Sequence, residues 1–253
     1  MFDSLEVLFA PAEFAALSGR DLSQTTCVVF DILRATSTIV TTLANGASAI
    51  IPVAEISEVL ELRRQNPELL LAGERDGLRI RADLTGSIDF DFGNSPREFA
   101  PAKINGRTIV LTTTNGSRAL RACAPARAVL AGSFLNLRAT ADFLHRHSPP
   151  RLLLVCSGTH DQSATEDVLG AGALIDLLFS GPPPVNSADS AFIAWQVYQS
   201  SRENLLAAIS LSRNGRRLLS QPELRDDVSF CLQPDTFPLV AKVENGMIRK
   251  VNE

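Results

Sequence analysis

Along the first two-thirds of the chain, short apolar runs alternate with polar turns and with segments whose apolar residues recur at helical spacing. The runs "TTCVVFD", "ASAIIPVA", "ELLLAGE", "GRTIVL", "ARAVLAG" and "RLLLVC" predict strands, and a further strand is predicted near the N-terminus, within residues 1–14. The segments "ATSTIVTTLANG", "EISEVLELRRQNP", "LRATADFLHRH" and "TEDVLGAGALIDLLFSG" predict helices. This alternation predicts an α/β fold with three α/β/α layers and a mainly parallel sheet.

The pattern changes after about residue 180. The segment "GPPPVNSADS" predicts a linker or lid, and helices are predicted around "AFIAWQVYQSSRENLLAAI" and "SRNGRRLLS". The segment "PLVAKVENGMIRKV" predicts a terminal β-hairpin, because Asn245 and Gly246 suit a tight turn with positive φ. We therefore predict an α/β part over residues 1–180 and a C-terminal helical and hairpin part over residues 181–253 packed on it, or one continuous domain.

Composition and charge argue against some classes of partner. A net charge of -4 over 253 residues argues against a nucleic-acid partner bound through bulk electrostatics. No apolar run reaches membrane-spanning length, and the N-terminus is acidic before its apolar residues, so we expect no membrane partner and a cytoplasmic location. The four cysteines lack metal-site spacing and are expected to be free thiols. The oligomeric state stays open, a homodimer included.

The residues that carry chemistry collect in the turns after the predicted strands. The stretch "CVVFDILRATSTIV" places an acid, an arginine and three hydroxyls after one strand: Asp31, Arg34, Thr36, Ser37 and Thr38. Other turns contribute Glu74 and Arg75, Thr112, Thr113, Thr114, Asn115, Gly116 and Ser117, Ser133 and Asn136, and Glu166 and Asp167, while the loop "DFDFGNSP" carries Asn94 and Ser95. In a parallel sheet such turns emerge at one edge, so we expect these side chains to converge.

This set of side chains predicts a small phosphorylated anion as substrate and a divalent metal ion. Hydroxyls and free amides at helix starts bind phosphoryl oxygens, and Arg34 can contact two oxygens of one group. Several carboxylates without a cluster of histidine and cysteine favour Mg²⁺ over zinc. Helix capping is the competing interpretation. It explains "TTTNGS" equally well, and it is the better explanation of Glu166 and Asp167 taken alone.

Other known phosphate-binding motifs fail in this sequence. There is no P-loop G-x-x-x-x-G-K-[ST] and no G-x-G-x-x-G after a strand. Asp31 follows a strand like the nucleophile of haloacid-dehalogenase-like phosphatases, but Leu33 stands where those enzymes carry a second acid. The C-x5-R motif of cysteine phosphatases fails after Cys156, where Gln162 replaces the arginine. His160, in a polar loop near the predicted edge, is a further candidate for proton transfer.

Seven stretches, in chain order, resemble the 2-phosphosulfolactate phosphatase family, the ComB-like proteins. They are "FDILRATSTIVTTLANGA", "AGERDG", "DFDFGNSPREF", "GRTIVLTTTNGSRAL", "AGSFLNLRATADFL", "LVCSGTHDQSATEDVLGAGALI" and "SRNGRRL…DDVSFC". The resemblance covers residues 5–240, and the combination of "DILRATSTI", "GNSP" and "TTNG" is its most specific part.

The resemblance implies a Mg²⁺-dependent phosphoric monoester hydrolase. Such an enzyme converts (2R)-2-phospho-3-sulfolactate to (2R)-3-sulfolactate and phosphate, a reaction of coenzyme M biosynthesis. Fitted to this reaction, the residues of the strand-end turns are predicted to have three kinds of role. Catalysis is assigned to Asp31, Arg34 and Asp167, and metal ligation to Asp31, Glu74 and Glu166. Substrate binding is assigned to Thr36, Ser37, Thr38, Asn94, Ser95, Thr113, Thr114, Asn115 and Gly116. Direct attack by water is favoured over a phospho-aspartate, because the usual second acid is missing.

Two other functions compete with this one. In the first alternative, the chain is a phosphatase for another small 2-phospho-acid. In the second, it binds an anionic metabolite without turnover. A phosphotransferase would need a nucleotide site, for which the sequence has no motif. A protein that only binds polyanions is expected to avoid carboxylates beside them unless a cation intervenes. The presence of Asp31, Glu74 and Asp167 therefore favours catalysis.

Overall fold

The computed structural model describes residues 2–251 and confirms the predicted α/β fold. The strands β1 to β10 span Ser4–Leu8, Thr25–Phe30, Ala49–Val53, Leu70–Arg75, Leu78–Arg79, Thr108–Thr112, Ala128–Gly132, Arg151–Cys156, Val240–Glu244 and Met247–Val251. The helices α1 to α12 span Pro11–Ala15, Ala35–Ala44, Ile56–Gln65, Ala82–Thr85, Pro101–Ile104, Gly116–Ala122, Leu137–His147, Thr165–Phe179, Asp189–Ser201, Leu205–Leu211, Arg213–Leu219 and Arg225–Cys231.

These strands form one sheet, in the order β1-β8-β2-β7-β9-β10-β3-β6-β4-β5. The strands β1, β8, β2 and β7 are parallel to one another, and β3, β6 and β4 form a second parallel block. The predicted C-terminal hairpin is β9–β10, and it joins the blocks by pairing antiparallel with β7 and with β3. The mainly parallel sheet is confirmed, but its two blocks run in opposite directions because the hairpin lies between them.

The twist of the sheet changes the angle between its two blocks. Five neighbour steps separate β2 from β6 along the sheet. At about 20–25° of twist per step, the axes of these two strands are rotated by roughly 100–125°. Since the second block runs in the opposite direction, the chain directions of β2 and β6 differ by roughly 55–80° and the two strands are not antiparallel.

Apolar residues on alternate positions of β2 fill the layers on the two faces of the sheet. Val28 and Phe30 pack into a core with helices α7, α8 and α9, while Cys27 and Val29 pack into a second core around α2. Helix α2 contacts β7, β9, β10 and β3, and it is buried from its first residue to Leu43. This helix, which begins directly after the polar turn, is therefore held by both halves of the sheet.

The C-terminal part packs on the first part and shares its sheet. Helices α8 and α9 are in contact, and the segment predicted as linker or lid runs between them along the edge strand β1, where the amide of Ala188 donates to the carbonyl of Leu5 at 2.9 Å. The division at residue 180 stays a prediction, since β9 and β10 come from beyond it and lie inside the common sheet. Over residues 2–251, no helix is both long enough and apolar enough to cross a membrane.

Candidate active site

A cleft open to solvent lies where the carboxyl ends of β2, β4, β6 and β8 meet. Six of the predicted site residues line it: Asp31, Arg34, Glu74, Asn94, Thr114 and Asn115. His160, the further candidate for proton transfer, lines it as well. The expected convergence of strand-end turns is therefore observed for these residues.

Asp31 occupies the turn between β2 and α2. One carboxylate oxygen, Oδ1, accepts a hydrogen bond from the amide of Ala35 at 3.1 Å, which fixes the side chain at the start of the helix. Burial raises the pKa of Asp31 to about 7, and the negative charges of Glu74 and Glu166 act in the same direction. A carboxylate held in this environment favours a cation beside it.

Glu74 lies at the end of β4 and is tied to two neighbouring loops. Its Oε1 accepts from both the amide and the hydroxyl of Thr114, at 2.9 and 3.0 Å. Its Oε2 accepts from the amide of Gly77 at 2.6 Å. Oε1 accepts two hydrogen bonds and Oε2 only one, so Oε2 keeps a further acceptor site. Glu74 is therefore fixed by the loops and still has a lone pair with which it can bind a cation.

The three hydroxyls after Arg34 have partners inside the protein. Thr36 accepts from the amide of Asp31 at 3.1 Å, Ser37 donates to the carbonyl of Ile32 at 2.9 Å, and Thr38 donates to the carbonyl of Asn94 at 2.9 Å. All three are buried and none lines the cleft. They hold the turn and the loop that carries Asn94 together, and their direct contact with a phosphoryl group stays a prediction that this geometry does not favour.

Asp167 and Glu166 lie below the cleft rather than on its wall. The Asp167 carboxylate accepts from the amides of Ile32 at 2.8 Å and Gly158 at 3.0 Å, so it joins the turns after β2 and β8. Burial raises the pKa of Asp167 well above its usual range, with Asp31 and Glu166 contributing. The geometry gives both acids positions behind the turns, and the catalytic role of Asp167 stays a prediction.

The other predicted substrate-binding residues divide into two groups. Asn94 and Asn115 face the cleft, and the side-chain oxygen of each is buried without a hydrogen-bond partner. Ser95, Thr113 and Gly116 lie behind the wall of the cleft, where Ser95 donates to Asp227 at 2.7 Å and Thr113 caps α6 through Ser117. Ser133 and Asn136 cap the segment before α7 and do not line the cleft.

The donor set fits a hard cation, although the predicted trio of metal ligands does not form one cluster. Within residues 2–251, no group of three or more His, Cys, Asp or Glu side chains is arranged to hold a metal. Asp31 and Glu74 nevertheless line the cleft together with Asn94 and Asn115, whose buried side-chain oxygens have no hydrogen-bond partner. Two carboxylates with neutral oxygens, water and a substrate phosphate are a common ligand set for Mg²⁺. Glu166 does not line the cleft, and its carboxylate accepts from Asn214 and Ser212, so its role as a metal ligand stays a prediction.

Arg34 is anchored from the C-terminal part of the chain. Its Nη1 donates to Asp227 at 2.8 Å, and its Nη2 donates to the carbonyl of Gly77 at 2.7 Å. Asp227 is fully buried and also accepts from Ser95 and from Arg97 Nε at 2.8 Å. These bonds use two of the five N–H groups of Arg34, and the residue lines the cleft, so it is a candidate donor to an anion there.

Sequence reasoning assigned no role to the residues that the C-terminal helices bring to the site. Asn214 and Arg217 of α11 line the cleft, and Asp227 of α12 holds Arg34 from behind. The stretches "SRNGRRL" and "DDVSFC" were part of the family resemblance, but neither has a local pattern that indicates its chemistry. Their roles depend on contacts over more than a hundred residues of chain, as in the Arg34–Asp227 pair.

Gly116 leaves the room that the Asp31 carboxylate occupies. A Cβ at this position would lie 2.6 Å from Asp31 Oδ2 and 2.7 Å from the Cβ of Ala35. We expect Gly116→Ala to displace Asp31, lower kcat by tenfold or more and reduce the free energy of unfolding by about 1–3 kcal/mol. Steady-state kinetics and urea unfolding measure the two effects.

Gly19 provides the matched control for Gly116, because a Cβ there would have nothing within 4 Å. Gly19→Ala is expected to leave kcat and stability unchanged within error. Equal kinetic behaviour of Gly116→Ala and Gly19→Ala would contradict the close packing of α6 against Asp31.

Comparison with known proteins adds to this geometry. The family model described as 2-phosphosulpholactate phosphatase matches residues 14–246. A probable 2-phosphosulfolactate phosphatase of Caldanaerobacter subterraneus subsp. tengcongensis is 37% identical over 238 residues, which is 93% of this chain and 95% of that protein. The proteins of the same description from Thermotoga petrophila and Pseudothermotoga lettingae are 39% and 35% identical, over 88% and 97% of this chain and 90% and 99% of their own.

Proposed function

The chain belongs to the 2-phosphosulpholactate phosphatase family, whose members are phosphoric monoester hydrolases, and from this premise we propose that it hydrolyses (2R)-2-phospho-3-sulfolactate. The products are (2R)-3-sulfolactate and phosphate. The proposal includes Mg²⁺ as cofactor, a role of the coenzyme M biosynthesis type and a cytoplasmic location.

One observation carries the proposal. Two carboxylates, Asp31 and Glu74, line the same cleft as Arg34 and as Asn94 and Asn115, whose buried side-chain oxygens have no hydrogen-bond partner. Oxygen donors for a hard cation thus lie next to hydrogen-bond donors for phosphoryl oxygens. A phosphate monoester held with Mg²⁺ needs both kinds of group at once.

The residues of the cleft have different roles in the proposed reaction. Asp31 and Glu74 hold the cation, with the amide oxygens of Asn94 and Asn115 as neutral donors. The free N–H groups of Arg34 bind phosphoryl oxygens and stabilise the charge that develops there in the transition state. When bound, Mg²⁺ supplies polarisation of the ester and a lower pKa for the attacking water. His160 is the group in this proposal that protonates the leaving oxygen.

Phosphate release tests the proposal directly. We expect release from 2-phospho-3-sulfolactate in the presence of Mg²⁺, and loss of release with EDTA that added Mg²⁺ restores. Phosphoglycolate, 2-phospholactate and 3-phosphoglycerate form the control panel and are expected to react at least about tenfold more slowly in kcat/KM.

The outcomes separate the competing functions. Faster release from another member of the panel would keep the chemistry and replace the substrate. Release that EDTA does not affect would remove Mg²⁺ from the proposal. Tight binding of these anions by calorimetry without any release would indicate a binding protein.

A further inference from the structure

Arg217 is a cation on the cleft wall whose hydrogen bonds go to neutral groups. It is half-buried at the end of α11 and lines the same cleft as Asp31 and Arg34. Its Nη1 donates to the backbone carbonyl of Asp76 at 2.8 Å, and its Nη2 donates to the side-chain oxygen of Asn214 at 3.0 Å. Among residues 2–251, no carboxylate forms an ion pair with it.

Arg34 and Arg217 differ in how their charges are matched. Arg34 has its charge matched by the fully buried Asp227. Among the described residues, Arg217 has neutral acceptors alone, which orient the guanidinium without an ion-pair partner. A half-buried arginine held in this way favours an anion supplied from the cleft.

The buried carboxylate of Glu166 fixes Asn214, the residue whose side-chain oxygen accepts from Arg217. Glu166 Oε1 accepts from Asn214 Nδ2 at 2.8 Å, and the same nitrogen donates to the carbonyl of Leu33 at 3.0 Å. These two bonds leave the Asn214 oxygen directed at Arg217. On the other side, Gly77 has φ of +79°, and a Cβ there would lie 2.9 Å from Arg217 Nη1, so the loop after β4 closes tightly against the guanidinium.

We propose that Arg217 binds the acidic group of the substrate that is not transferred, its carboxylate or its sulfonate, and so selects substrates with a second anion. This inference rests on the proposed function. The side of the cleft with Asp31 and Glu74 holds the cation and the phosphoryl group, while Arg217 comes from the C-terminal helices and has no role in that set. A phosphate ester with one further anionic group fills both sites.

Paired variants on one helix test this inference. Arg217→Gln removes the charge, and Arg217→Lys keeps the charge without the planar fork. Arg216→Gln is the control, since Arg216 is exposed and its guanidinium donates to the carbonyl of Leu211, away from the cleft lining. We expect Arg217→Gln to raise KM for 2-phospho-3-sulfolactate by about 10- to 100-fold, with a smaller change in kcat. Arg217→Lys is expected to recover part of this loss, and Arg216→Gln to match the wild type.

Two analogues identify the group that Arg217 holds. 2-Phospholactate lacks the sulfonate, and the phosphate ester of 2-hydroxyethanesulfonate lacks the carboxylate. The wild type and Arg217→Gln are expected to have similar kcat/KM for the analogue without the recognised group, and to differ by about tenfold or more for the other. If Arg217→Gln and Arg216→Gln have the same KM for every substrate, the inference is overturned while the proposed function stands.

A binding measurement separates the inference from the proposed function. Calorimetry with 3-sulfolactate on the wild type and on Arg217→Gln does not require turnover. If the wild type releases no phosphate, the proposed function fails, and a tenfold weaker affinity of Arg217→Gln for 3-sulfolactate still supports the anion site. If the wild type neither turns over the ester nor binds 3-sulfolactate, both are overturned.

Discussion

Replacement of Asp31 by asparagine is expected to lower kcat by about a thousandfold while the protein stays folded. The amide oxygen of asparagine can still accept from Ala35, so the turn keeps its hydrogen bond. What is lost is the negative charge that, with Glu74, is proposed to hold the cation. Phosphate release at saturating substrate and Mg²⁺ measures the effect.

The thermal stability of Asp31→Asn should change in the opposite direction from its kcat. Burial and the neighbouring acids raise the pKa of Asp31 to about 7, so its charged form is unfavourable without a cation. We expect Asp31→Asn to have a Tm equal to or above that of the wild type in EDTA, and to lose the increase that Mg²⁺ gives the wild type.

The control for Asp31 is Asp83→Asn in the short helix α4, because Asp83 is exposed and lies outside the cleft. This variant should keep the wild-type rate and the wild-type response to Mg²⁺. An unchanged rate and metal dependence in Asp31→Asn would remove Asp31 from the mechanism.

The second large effect is expected at Asp227, on stability. Its buried carboxylate accepts from Arg34, Ser95 and Arg97, and Asp227→Ala leaves the arginine at position 34 buried without its counter-ion. Breaking a buried pair in this way costs about 3–5 kcal/mol of unfolding free energy. We also expect kcat to fall by about a hundredfold, since Arg34 loses the contact that orients it.

The adjacent Asp226 is the matched control. It is 64% exposed and lies 3.5 Å from Arg97, so Asp226→Ala should change the unfolding free energy by less than about 0.5 kcal/mol. Urea unfolding followed by circular dichroism compares the two variants, and Asp227→Asn, which keeps a neutral acceptor, should fall between them. Equal stabilities of the variants at positions 226 and 227 would contradict the buried pair.

Local pattern was sufficient for most strands and helices, and insufficient for how they are assembled. The runs ending at Phe30 and Cys156 predicted strands because continuous apolar segments of this length suit a sheet covered on both faces. The place of β9 and β10 in the middle of the sheet has no local signal. An Asn-Gly turn specifies a hairpin but not its neighbours, so the reversal of the second block was not predicted.

The residues of the active site also fall into those that local pattern predicts and those that depend on tertiary packing. Asp31, Glu74 and Asn115 were found because each ends a strand, where side chains of a parallel sheet converge. The hydroxyls of Thr36, Ser37 and Thr38 looked alike in sequence, yet their backbone partners, such as the carbonyl of Asn94, are specified only by the folded loop. The same holds for Arg217, whose position on the cleft depends on where α11 packs.

The inserted hairpin has a consequence for how the chain folds. Strands β9 and β10 lie later in the chain than all the strands they join, so β7 and β3 have unpaired edges until residues 240–251 are available. Unpaired strand edges of this kind are sites of aggregation during synthesis and refolding. Closure of the sheet by contacts so distant in sequence is also intrinsically slow. We therefore expect the two halves of the active site to come together late in folding, and the protein to be most prone to aggregation before the sheet closes.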